Sequence, residues 1–286
     1  MYPLDFEEFL IANGVGDLVL DTIRKKFMAR EAMPDAVNEF IATHNITTIR
    51  TIQNDIRRLY GVDAARYEES HNRLKIQRIY GMIPSTLENK KKRIVVKDIE
   101  DKKGKRMSDY VEEFDYLISS GIALEVKAIS KPSFPLIENS GKNLLKLYMN
   151  DVGLLTGIFF GTNIRAVMDD VASVNLGSVY ETVVAQELKA HGFDLYYYDN
   201  KKTGEVDYII DDMDNLSVLP LEIKSGKDYR VHSALGKFLQ VKEYNIQQAF
   251  VLSNAKQVEI KNGVTYLPIY YIMCVEPEEA KENLLV

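Results

Sequence analysis

The sequence predicts an α/β chain (α+β overall), with a helical N-terminal segment, a helix-rich middle module and a C-terminal mixed sheet flanked by helices. Three observations point there. Apolar residues recur at helical spacing through roughly the first 70 positions. Between residues 70 and 133 three helical patterns lead into one strand. From Gly177 onward a helical stripe precedes several short apolar runs separated by turn-forming residues.

In the first segment, residues 1–69, Phe6, Phe9 and Leu10 repeat at helical spacing, and Leu18, Ile23 and Phe27 continue the pattern. Pro34 and Asp35 read as a helix start leading into Val37, Phe40 and Ile41. Thr48 or Thr51 is the expected cap of the next helix, with Ile52, Ile56 and Leu59 on one face and Gly61 closing it.

Residues 70–133 have another rhythm. Leu74, Ile76, Ile79 and Ile83 mark a helix that Pro84 should stop, and a short basic helix is expected from Ser85. Ile94-Val95-Val96 reads as a small strand. Ser108 should cap a helix carrying Tyr110, Val111, Phe114, Leu117 and Ile118, which Gly121 ends before a strand from Ile122 to Ile129. Three helices followed by a strand suggest a winged-helix-like module, a form used for DNA and for protein contacts alike. Lys131-Pro132-Ser133-Phe134-Pro135 is a stiff connector and the expected boundary with residues 134–286.

In that last part, Leu144 to Leu155 reads as strand then helix. Gly177 to His191 is a helix with Val179, Val183, Val184 and Leu188 as its buried stripe. Leu195 to Tyr198, Glu205 to Ile210, Val218 to Lys224 and Gln248 to Ser253 read as strands, with a helix from Ser233 to Tyr244. Val264 to Cys274 reads as strand then helix.

Composition sets the boundaries of function. The 286 residues carry a formal net charge of −6, so the chain as a whole is no generic polyanion binder. From Lys75 to Arg106, however, basic residues exceed acidic ones by about seven, with clusters at Lys90, Lys91, Lys92, Arg93 and at Lys102, Lys103, Lys105, Arg106. This excess reads either as a local phosphate-binding face or as a solvated helix end and turn. Cys274 is the only cysteine, which excludes an intramolecular disulfide and cysteine-rich zinc sites. No charged-then-apolar leader follows Met1 and no run reaches the ~20 apolar residues of a membrane span. A soluble, cytoplasmic protein is expected.

The chemistry gathers near the C-terminus. Side chains two apart on a strand share a face, so Glu222 and Lys224 point one way while Leu221 and Ile223 point into the core. On the preceding strand, Asp207 is expected on the face opposite Val206 and Tyr208. If the two strands are neighbours, Asp207 and Glu222 converge, and two carboxylates that close call for a cation between them. Mg²⁺ or Mn²⁺ suits oxygen ligands and retained water. Lys224 beside it would orient or help deprotonate a water, and Glu181 would hold a metal-bound water or complete a second metal position. The plain alternative is four ordinary charges at strand and helix ends. No Gly-x-x-x-x-Gly-Lys-Ser/Thr loop is present, so no ATP site is expected. His44, His71, His191 and His232 show no metal-ligand spacing.

Gly177-Ser178-Val179-Tyr180-Glu181, Gly204-Glu205-Val206-Asp207-Tyr208 and Leu221-Glu222-Ile223-Lys224-Ser225-Gly226 resemble the C-terminal domain of a prokaryotic AAA-type ATPase family. That domain is similar to the PD-(D/E)XK nuclease superfamily. Tyr2 to Leu10, Met33 to Val37, Lys146 to Tyr148 and Asp151 to Leu155 extend the resemblance over nearly the whole chain. It implies catalytic roles for Glu181, Asp207, Glu222 and Lys224, with metal held by Asp207, Glu222 and the carbonyl of Ile223. DNA is the implied partner, with Lys227, Arg230 and Lys237 adding phosphate contacts. Relatives usually begin with an ATPase module followed by a winged helix. This chain starts at the segment that follows that module, so no ATP hydrolysis is expected of it.

Overall fold

The computed structural model describes residues 3–14, 33–63, 70–90, 92–100, 103–139, 144–165, 174–226 and 228–277. Leu18, Ile23 and Phe27, and the basic residues Lys91, Lys102 and Lys227, lie outside them.

The N-terminal part is helical. Helix α1 (Phe6–Ala12) is closed by a capping box in which Asp5 accepts from the Glu8 amide and Glu8 accepts from the Asp5 amide. Helix α2 (Pro34–Thr43) starts with Pro in its first turn, as expected. Helix α3 (Ile46–Asp63) begins earlier than the threonines suggest, because the Asn45 side chain accepts from the Thr47 amide, and it runs through Gly61. Helix α4 (Ser70–Leu87) continues past Pro84. The ring removes one backbone bond, but the added turn buries Leu87 completely, which offsets the loss. No basic helix therefore starts at Ser85, and a short helix, α5 (Val96–Ile99), stands where a strand was expected. A 3₁₀ turn at Met107–Tyr110 leads into α6 (Val111–Ser119).

Strands β1 (Ala123–Ile129), β2 (Leu145–Met149), β3 (Tyr196–Asn200), β4 (Gly204–Asp212), β5 (Ser217–Lys224), β6 (Ala249–Ser253), β7 (Glu259–Lys261) and β8 (Val264–Pro268) form one mixed sheet. Its order is β2-β1-β3-β4-β5-β6-β8-β7. Helices α7 (Val152–Phe160), α8 (Gly177–Ala190) and α9 (Ser233–Leu239) flank it. The predicted fold class thus stands. Strand β1, assigned by sequence to the winged-helix-like module, pairs antiparallel with β2 and parallel with β3. The sheet therefore crosses the expected boundary at residue 133. The helix predicted from Ser233 to Tyr244 ends at Leu239, and Ile269–Cys274 is a 3₁₀ turn.

The two faces of the sheet bury different cores. One joins Tyr197, Tyr208, Leu221 and Ile223 to α8 and to the N-terminal helices. The other joins Tyr198, Val206, Ile209 and Val251 to Leu235 and Phe238 of α9. The helical part is fastened to α8 and α7 by polar bonds as well. The Phe6 amide donates to the buried Glu187 carboxylate at 2.9 Å. Buried Arg50 donates to the carbonyls of Gly153 and Gly161 at 2.8 and 2.9 Å.

Candidate active site

Glu181, Asp207, Glu222 and Lys224 come from α8, β4 and the end of β5. The β4–β5 ladder runs from Asp212↔Ser217 to Tyr208↔Leu221. Beyond that pair, the Asp207 carboxylate accepts the Ile223 amide at 2.8 Å, so a side chain takes the place of the missing backbone partner. A strand residue's amide and carbonyl point to the same side in such a ladder, so the Ile223 carbonyl also faces the β4 side.

Asp207 owes its position to an irregularity. Tyr196 pairs with Ile209 but Tyr198 pairs with Val206, so β4 holds one extra residue between these pairs. Val206 and Ile209 therefore both face the α9 core, while Tyr208 turns to α8 and its hydroxyl donates to the Glu181 carbonyl at 2.8 Å. The strict alternation expected from sequence, with Asp207 opposite both neighbours, fails for Tyr208 at this bulge. On β5 alternation holds. Leu221 and Ile223 enter the α8 core, which turns Glu222 and Lys224 away from it.

Glu222 is buried, with Oε1 accepting from Lys224 Nζ at 2.7 Å. Its Oε2 is buried and accepts no hydrogen bond within the protein. Burial pushes the Glu222 carboxyl up from its ordinary range, against the pull of Lys224 and His232. Burial, then Glu222 and Glu181, push the Asp207 carboxyl well up. Both are acids short of positive charge. Lys224 is held above the ordinary lysine range: burial opposes its charge, but Glu222 and Asp207 outweigh it.

Glu181 is in a different state. Both of its oxygens are engaged, Oε1 by Lys92 Nζ and Oε2 by the Tyr148 hydroxyl at 2.7 Å. Burial alone would raise its pKa, yet Lys92 and Lys146 hold it below the ordinary range. Lys146 is fully buried, bonded to Glu205 at 2.6 Å, and lies 4.4 Å from the centre of the Tyr197 ring. Burial disfavours its charge, but Glu181, Glu205 and Asp207 keep its pKa above normal. Lys146, Tyr148, Glu205 and Tyr208 were not singled out for the site from sequence. The available signal was Lys146 itself, a lone cation inside the apolar strand Leu145 to Met149.

The expected nucleic-acid contacts divide into two groups. Lys90, Lys103, Lys105 and Arg106 are exposed, as is Arg230, which pairs with Glu259. Lys92 and Arg93 instead turn inward, Arg93 pairing with Asp199 at 2.8 Å and Glu205 at 3.3 Å. The carboxylates beside them, not phosphate, are their partners in this structure.

A Mg²⁺ or Mn²⁺ ion was expected at Asp207 and Glu222. The buried, unbonded Glu222 Oε2, beside an Asp207 carboxyl whose pKa is pushed up by burial and then by Glu222, fits such an ion. Among the described residues no three acid, histidine or cysteine groups are gathered as metal ligands. An ion here would therefore take two carboxylates and complete its shell with water and backbone oxygen, as Mg²⁺ commonly does.

Residues 176–272 match a domain of unknown function (DUF4143). Such domains often follow AAA ATPases in prokaryotic proteins. Residues 23–163 match a second domain of unknown function (DUF8612). No curated protein and no solved structure matches the chain. The DUF4143 region runs from the start of α8 through β8 and carries Glu181, Asp207, Glu222 and Lys224. The DUF8612 region brings Lys92, Arg93, Lys146 and Tyr148 to the same site. No phosphate-binding loop occurs in the sequence. Among the described residues no helix is long and apolar enough to cross a membrane.

Proposed function

We propose that this chain carries a metal-dependent, PD-(D/E)XK-like site for phosphodiester hydrolysis in DNA, and that it works beside an AAA-type ATPase without hydrolysing ATP itself. One observation carries the reading most directly. Glu222 Oε2 is buried without a partner beside Asp207, at the point where β4 and β5 part. An unpaired buried carboxylate oxygen is costly, so it persists where something outside the protein completes it.

Asp207 and Glu222, with the Ile223 carbonyl, are the residues that would hold Mg²⁺ or Mn²⁺. The ion would supply a water of lowered pKa and stabilise charge on the phosphate. Lys224, already bonded to Glu222 Oε1, sets the orientation of that carboxylate and offers its ammonium to a phosphate oxygen. Lys92 and Tyr148 fix the two oxygens of Glu181, and the charge of Lys146 adds to the field that keeps it ionised. The exposed Lys90, Lys103, Lys105, Arg106 and Arg230 provide cations for the DNA backbone.

Supercoiled plasmid incubated with the chain and Mg²⁺ or Mn²⁺ should be nicked, and Asp207→Ala should reduce nicking at least 100-fold. Equal rates for the two proteins refute the reading. A second reading, a noncatalytic DNA- or protein-binding regulator of an ATPase, rests on the exposed cations Lys90, Lys103, Lys105 and Arg106, since Lys92 and Arg93 are taken up by carboxylates. It predicts salt-sensitive DNA retention that is insensitive to Asp207→Ala, and no nicking.

A further inference from the structure

Glu88 and Lys92 meet the start of α8, beside the candidate site, and Arg93 meets β3 and β4. Glu88 accepts from the Ser178 hydroxyl and, at 3.4 Å, from the Asn175 amide. Lys92 reaches Glu181, and Arg93 pairs with Asp199 and Glu205. Ile94 then buries itself while its amide donates to the Leu145 carbonyl at 3.4 Å.

Lys92 adopts a backbone φ of 50°, in the left-handed region that a long side chain seldom enters. A non-glycine residue persists there when its surroundings hold it. Here the Lys92 amide donates to the Asn89 carbonyl at 3.2 Å, and the side chain ends in an ion pair with only about a fifth of its surface exposed. The amine also lies 3.9 Å from where a side chain at Gly177 would begin, and Ser225 Oγ lies 3.9 Å from the same point. The ammonium is thus at the α8 end of the site, close to the residue that follows Lys224.

Charge balance points the same way. The carboxylates of Glu181, Asp199, Glu205, Asp207 and Glu222 are matched by the cations Lys92, Arg93, Lys146 and Lys224. One negative charge is left over when all are ionised, and the unbonded oxygen is on Glu222 rather than on Glu181.

We propose that Lys92 is a positioning residue that serves as the permanent cation of Glu181, so that the site takes one divalent ion, at Asp207 and Glu222, and Glu181 binds none. Glu181 then acts on the site as a fixed, neutralised hydrogen-bond acceptor instead of a second metal ligand. The strap from the preceding part of the chain thereby sets the metal stoichiometry. This rests on the metal-site reading above.

Calorimetric Mn²⁺ titration of the full chain, with free Mn²⁺ counted by its electron paramagnetic resonance signal, tests it. Wild type should bind one ion, and Lys92→Met should bind two, the second being lost again in Lys92→Met/Glu181→Gln. Circular dichroism checks that the variants are folded. If Lys92→Met does not fold, Lys92→Gln, which keeps a donor for Glu181 without the charge, should also gain the second ion. Two ions in wild type overturn the proposal, as does one ion in both wild type and a folded Lys92 variant. No ion in wild type overturns the metal-site reading itself, a result distinct from either of those.

Discussion

Replacing Lys146 with Met removes one ammonium from the most enclosed part of the site. The side chain is fully buried, 2.6 Å from Glu205 and over the Tyr197 ring, with Glu181 and Asp207 within its field. Methionine preserves most of the volume, so the loss is mainly electrostatic. Removing one partner of a buried ion pair costs about 3–5 kcal/mol, because the remaining charge stays desolvated. At roughly 2–4 °C per kcal/mol for a chain of this size, the melting temperature should drop by about 6–20 °C at pH 8. The pH dependence has a definite sign. Without Lys146 the folded-state pKa values of Glu181 and Asp207 rise, whereas their unfolded values stay near the ordinary ~4. The folded variant then holds protons that the unfolded chain has released, so its stability falls as pH rises through that window. The deficit against wild type should be fully developed at pH 8 and shrink toward pH 5. Thermal melts in EDTA at several pH values measure it. Lys127→Met, which disrupts a pair at 3.1 Å with the lysine side chain 47% exposed, is the control and should cost less than ~1 kcal/mol. A Lys146→Met deficit as small as the control's, or one that does not change with pH, would refute the argument.

Asp207→Asn in EDTA should melt above wild type at pH 8. The raised carboxyl of Asp207 makes wild-type stability fall as pH rises through its folded-state value, and the amide does not titrate. Identical pH slopes for the two proteins would contradict this. Gly204→Ala should cost about 1–3 kcal/mol by thermal melt, since φ is 104° and a Cβ would lie 3.0 Å from that of Ala234. Arg50→Met should cost about 2–4 kcal/mol in urea unfolding, because the Gly153 and Gly161 carbonyls lose a buried donor. An unchanged unfolding midpoint would show that those carbonyls find other partners.

Much of the site was legible because strands have a period of two. That period is enough to put Glu222 with Lys224 and to separate both from Leu221 and Ile223, and the structure keeps this arrangement on β5. It failed at Tyr208 because the extra residue in β4 has no local mark: Val206-Asp207-Tyr208-Ile209 contains neither glycine nor proline. Pro84 misled in the opposite direction. A proline is a local signal, and the burial of Leu87 that overrides it is a tertiary one. Lys92 and Arg93 were hidden by their neighbours, since a run of four cations reads as solvated surface. Nothing local distinguishes the two that meet carboxylates far along the chain from Lys90, which stays in water.

The division into a helical part and a sheet part is therefore weaker than the sequence suggests. Strand β1 lies before the expected boundary, yet it pairs with β3 after it, so separating the two halves would expose the β3 edge. Separation would also strip Lys92 from Glu181 and Arg93 from Asp199 and Glu205. It would leave Glu187 without the Phe6 amide. Each of these bonds joins a group on the helical side to α8 or β4, which hold Glu181 and Asp207, or to the neighbouring β3. A chain that needed the sheet alone for its chemistry could have neutralised Glu181 from within the sheet, as it does with Lys146. Drawing the second cation from residues 88–93 instead makes the charge state of Glu181 depend on how the helical part is seated.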